Sequence, residues 1–174
     1  MDSAAETIDV YALLLTVAQL AIAFAGFGAV ATSLRKSAQH AQVNAGRVVN
    51  MLVTSLVVAL LALTPCALRL FEVPGAWIWR GTSAFALLLF LAALWNFAIS
   101  HKEMVARAGI HPVTLHINYG LMVFANLAFG LCAFTAPIAN PSALFFAGLF
   151  ALLVVCGTLF FRVIYSLLVS VIPD

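Results

Sequence analysis

Apolar residues fall in long unbroken runs along this chain, and polar residues gather in the short stretches between them. A helix needs about 20 apolar residues to cross roughly 30 Å of hydrocarbon. Only helices and closed barrels can span a bilayer, because every backbone polar group must find a partner away from water. Barrel strands read as alternating segments of about ten residues. The runs here are continuous, so the pattern predicts helices.

It predicts five of them. The first runs from about Val10 to Leu34, with Ser3 and Glu6 spaced as in a capping box before it and Arg35 and Lys36 after it. The second covers about Val48 to Phe71 and contains Pro65. That proline removes a donor, so the Leu61 carbonyl is expected to lose its partner and the helix to kink, with Thr64 placed to help satisfy the freed carbonyls. Glu72–Arg80 (EVPGAWIWR) reads as a turn, and the third span as about Gly81 to Ser100. A polar stretch from His101 to His116 follows, then a fourth span from about Leu115 to Pro137. The short uncharged connection ANPS makes the fourth and fifth spans a tight hairpin. The fifth run, Ala143 to Ile172, would cover about 45 Å as a helix, too long for one crossing. Arg162 lies about 30 Å from Ser142, which places it at the membrane surface and leaves 163–172 as an interfacial or extended helix.

Composition agrees. Hydrophobic residues make up 65% of the 174 and charged residues 8%, against about 25% charged in soluble domains. Mean hydropathy is +1.14. Lipid is therefore the solvent for most of the surface, and the chain reads as one transmembrane domain over 1–174. The net charge of +2 is small and unclustered, which gives no basis for nucleic-acid binding. Cys66, Cys132 and Cys156 lie inside apolar runs without a CxxC spacing and read as small core residues. The start, MDSAAETIDV, lacks a basic region and a cleavage site, so the first span is expected to be retained.

Loop charge sets orientation. Arg35, Lys36, Arg47, Lys102, Arg107 and Arg162 fall on one side of a five-span chain, and Arg69 and Arg80 on the other. The expected fold is an all-α polytopic membrane bundle in the cell membrane, N-terminus outside and C-terminus cytoplasmic. Tyr11, Trp77 and Trp79 would form an outer aromatic belt, and Tyr119 and Tyr165 an inner one.

The first helix stands out. Asp9, Ala12, Thr16, Gln19, Ala23, Gly26, Val30 and Ser33 follow spacings of three and four, a face of small or polar residues. Ala21, Ala25, Ala29 and Ser33 form a second small ladder, the kind that lets helix backbones approach closely. Two such faces predict a central first helix. Either both pack against neighbouring helices, or the Asp9–Gln19 face lines a polar pathway in an oligomer, with Glu6 and Asp9 as an acidic rim favouring cations.

Carboxamides sit inside other spans as well. Gln19 and Asn126 reach matching mid-membrane depth, and Asn50 and Asn96 match in the cytoplasmic third, which predicts two interhelical pairs or a hydrated site. His101, His111 and His116 flank the third loop, and His40 lies in the first. Histidine is the commonest metal ligand. These show no paired spacing on one helical face, so metal or haem is a weak reading and no cofactor is expected. Hydrolase, nucleotide-binding and metalloprotease motifs do not occur, which argues against an enzyme.

The functional expectation is a small homo-oligomeric channel or transporter-like unit with the lipid bilayer as its partner. One alternative is a non-catalytic scaffold or accessory subunit that binds an unidentified protein through its cytoplasmic face. Another is a haem- or quinone-linked redox subunit.

Overall fold

The computed structural model describes residues 10–33, 41–108, 112–135 and 140–169, with side chains described over 10–30, 48–95, 116–135 and 140–165. Five helices account for nearly all of it: α1 (Val10–Ser33), α2 (Ala41–Leu70), α3 (Gly75–Ala108), α4 (Pro112–Phe134) and α5 (Pro141–Val169). Each holds a stretch long and apolar enough to cross a membrane: Val10–Val30, Val48–Leu70, Gly75–Trp95, His116–Phe134 and Pro141–Tyr165. Large apolar side chains such as Phe27, Leu60, Leu88, Leu127 and Phe161 face outward. In water that surface would aggregate; in lipid it costs nothing. The protein is a multi-pass α-helical membrane protein.

The centre of the bundle is α5. Its backbone comes close to all four other helices, whereas that of α1 comes close to α2 and α5, with the Tyr11 ring reaching Trp79 of α3, and that of α4 to α3 and α5. The expectation of a central first helix therefore does not hold within the chain. The physical reason is apolarity all round: α5 has the most apolar span and the largest buried share of the five. The other helices form an arc around it, with α1 and α4 as its two edges, out of contact with each other. Along α5, Ala143, Phe150, Val154, Phe161 and Tyr165 stay exposed at helical spacing, on the side the arc leaves uncovered.

The core is built from Leu14, Leu61, Phe129, Phe145, Leu149 and Leu152. Rings carry it from helix to helix: Tyr11 to Trp79 at 5.9 Å between centroids, Trp79 to Phe145 at 5.8 Å, and Phe145 to Phe129 at 5.6 Å. Phe129 lies flush on α5 because Gly148 has no side chain there; a Cβ would stand 2.8 Å from Phe129 Cε1. Near the other end of the bundle Val48, Met51 and Val163 make a smaller cluster.

Several boundaries differ from the sequence reading. Helix α3 begins at Gly75 rather than near Gly81, so Trp77, Trp79 and Arg80 are helical. Trp79 is buried and belongs to the core, while Trp77 is exposed as a belt residue would be. The stretch from His101 to Ala108 continues α3, and α4 starts at Pro112. Helix α5 runs on through Arg162 to Val169, as the extended-helix alternative for 163–172 has it, and Val163 packs against α2. Helix α2 is likewise continuous through Pro65, with the Thr64 hydroxyl donating to the Leu60 carbonyl at 2.7 Å.

Where α2 ends, the Val73 N–H donates to the Leu68 carbonyl at 3.4 Å and the Glu72 N–H to the Arg69 carbonyl at 3.1 Å. This is a Schellman cap, and Glu72 takes the left-handed position with φ 55° that glycine usually fills. The Pro74 carbonyl then accepts from Trp77 N–H at 2.8 Å and starts α3.

Candidate functional site

Two helical faces of α1 separate cleanly. Leu14, Val17, Ala18, Ala21, Ala25 and Gly28 turn inward. Gly28 lets Met51 of α2 lie directly against the α1 backbone, in the space a Cβ would occupy. One small ladder is thus used for packing within the chain, although Ala29 is exposed. The other face, Ala12, Thr16, Gln19, Gly26 and Val30, is exposed, with Ala23 half-buried. Beside Gly26 a Cβ would meet nothing within 4 Å.

Gln19 is the costly member of that outward face. It lies about 14 Å along the helix from Val10, near the middle of a core roughly 30 Å thick. Its carboxamide makes no hydrogen bond among the described residues. The Thr16 hydroxyl donates to the Ala12 carbonyl at 2.9 Å, so its own polarity is largely satisfied. Among the described residues no other helix covers this face.

The paired-amide expectation fails for Gln19 and Asn126, since α1 and α4 do not meet. Asn126 is buried, donates to the Met122 carbonyl of its own helix at 2.8 Å, and keeps an unpartnered Oδ1. Asn50 is exposed on α2, and its backbone carbonyl accepts the Thr54 hydroxyl at 2.7 Å. Asn96 lies in α3, with its side chain outside the described residues. The amide that does bridge helices is Asn118 of α4, whose Oδ1 accepts the Thr158 hydroxyl of α5 at 2.7 Å. Sequence reading by carboxamide depth passed over it because its partner is a threonine.

Two further buried polar groups were not singled out in the sequence. Ser55 and Ser83 are fully buried with unpartnered hydroxyl oxygens. Ser55 stands beside Cys156, and Ser83 beside Cys132. The Cys132 thiol lies 3.3 Å from the Pro141 carbonyl and 3.8 Å from the Trp79 carbonyl. It is a packing contact joining three helices rather than an exposed nucleophile.

Glu6, Asp9, His40 and His111 lie outside the described residues. His101 lies in α3 with its side chain outside them, and His116 is exposed at the start of the fourth span. Among the described residues no group of three His, Cys, Asp or Glu side chains comes together to hold a metal. Arg162 is half-buried near the end of the fifth span. Comparison with known proteins finds no family model, no curated protein and no solved structure that matches the chain.

Proposed function

We propose that the protein works as a homo-oligomer in which the outward face of α1, from Ala12 through Thr16, Gln19, Ala23 and Gly26, lines a polar path shared between subunits. One observation carries the reading: Gln19 is exposed midway along the apolar stretch Val10–Val30 of an edge helix. A carboxamide left in hydrocarbon without partners costs several kcal/mol, about 4–8 on the water-to-cyclohexane scale. Copies of the same face, or water held between them, remove that cost. Small residues along the stripe allow the close approach. The sequence carries two carboxylates, Glu6 and Asp9, just before this stripe, and on this reading they favour a cation as the transported species.

Flux through liposomes containing the purified chain tests this. Cation flux is expected, with Gln19→Leu reducing it and Asp9→Asn lowering the preference for cations over anions. A well-folded oligomer that passes neither ions nor small polar solutes contradicts the reading.

A second reading is favoured by α3, which continues as a helix through the polar residues His101 to Ala108. That extension is about 12 Å long. It would give a partner protein a rigid rod to hold, as in an accessory subunit. Loss of a co-purifying protein on deletion of 101–108, with flux unchanged, distinguishes it.

A further inference from the structure

Helix α3 has two distinct faces. Ile78, Thr82, Ala86 and Phe90 are buried in the bundle. Phe85, Leu88 and Leu91 are exposed, and a tryptophan stands at each end of their face, Trp77 at 68% exposure and Trp95 at 70%. From 77 to 95 is about five full turns at 3.6 residues per turn, so the two tryptophans share one side of the helix. Along the axis they stand about 27 Å apart. The polar residues between them leave that face apolar. Thr82 and Ser83 are buried, and Arg80 lies within a turn of Trp77, where its long stem reaches the surface.

Neighbouring helices mark the same inner level. Ser83 stands beside Cys132, and Leu87 lies over Gly130. That antiparallel register brings Trp95 to within about one turn of the level of Tyr119 on α4, which is exposed as well. Asn118, next to Tyr119, accepts from Thr158 of α5, and Arg162 follows about one turn further along α5, about 6 Å beyond that level. Tryptophan and tyrosine settle at the membrane–water boundary, because one end of the ring is apolar and the other polar. A face that is apolar between two such residues fits the two boundaries of one bilayer. The bracket also sets a limit. With an indole at each boundary, the hydrocarbon between them is no thicker than their separation along the axis, and helix tilt only shortens it.

We infer that this face of α3 is a lipid contact that fits the protein to a bilayer with a hydrocarbon core of about 27 Å or less, thinner than the average of about 30 Å. Phospholipid acyl chains cover it, rather than a second copy or another protein. The surface is separate from the outward face of α1 and does not depend on that face lining a path.

The test uses the full chain in vesicles of phosphatidylcholines of graded chain length, with cores from about 20 to about 35 Å. Dibrominated phosphatidylcholines quench the tryptophans that touch lipid, while the buried Trp79 adds a constant background. Competition between brominated and plain lipid gives the relative affinity for each chain length. Affinity should peak at a core near 27 Å and fall roughly threefold by about 35 Å. In the best-matched lipid, Trp95, isolated by Trp77→Phe, should be quenched more by bromines near the headgroup than by bromines at the chain ends. Trp95→Leu combined with Leu91→Trp draws the bracket in by one turn, about 6 Å, and should move the peak to thinner bilayers. If that chain does not fold, the affinity profile of the unaltered chain and the depth of Trp95 decide. A flat profile, a peak above about 30 Å, or a peak that the exchange leaves in place overturns the proposal. Quenching of Trp95 mainly by bromines at the chain ends would set it at the bilayer centre and overturn it too. Shielding of Trp95 from every brominated lipid would show that a second copy or another protein covers the face, which also overturns it.

Discussion

At the scale of single residues, backbone conformation and close approach decide what each position tolerates. Glu72 holds a left-handed conformation at the α2 cap, where a side chain costs roughly 1–2 kcal/mol and glycine costs little beyond its unfolded-state entropy. Glu72→Gly should therefore stabilise the protein by about 0.5 kcal/mol, read from unfolding in mixed micelles. Two interhelical glycines contrast with each other. At Gly148 a methyl group meets the rigid ring of Phe129, and Gly148→Ala should cost roughly 1–3 kcal/mol, the usual range for overpacking. At Gly28 it meets the flexible end of Met51, which can swing aside. Gly28→Ala should cost distinctly less in the same assay; equal losses at the two sites would mean that the Phe129–Gly148 contact is not the tighter one.

Helices make up the next scale, and here the sequence was readable to different depths. Five spans could be counted because hydropathy integrates over about 20 residues and tolerates local error. The start of α3 could not, because Arg80 looks like a boundary in sequence while Ile78 and Trp79 are core residues of a helix that has already begun. Amide pairing was misjudged for a geometric reason. Residue counting gives depth along a helix but not which helices are neighbours, and the edges α1 and α4 never meet. The Asn118–Thr158 bond joins helices that do meet. A double-mutant cycle with Asn118→Leu and Thr158→Val should give a coupling near 0.6 kcal/mol and no more than about 1.7. A coupling of zero would mean that the bond is replaced by other partners when broken.

For the whole molecule, the open arc of helices is the dominant feature. With α5 filled in at the centre, the subunit needs no further helix for its core, yet α1 is left at an edge with its polar stripe turned out. The sequence showed that two faces of α1 are unusual; the structure separates them, one for packing within the subunit and one outside it. In the assembly proposed above, contact through the outward face makes the stripe useful rather than costly. On this account Gln19→Leu shifts the protein toward monomer in detergent, measurable by light scattering, while Phe27→Leu, which alters only apolar surface, leaves the assembly unchanged.

The most direct test places a spin label at Gln19→Cys, and at Leu91→Cys for comparison, in a chain whose Cys66, Cys132 and Cys156 are replaced by alanine, and measures collision with lipid-dissolved oxygen in vesicles. The label at position 19 should be shielded and should show dipolar broadening from a second copy, while the label at position 91 is freely accessible. Equal oxygen access at both positions, with no broadening, would contradict assembly through α1.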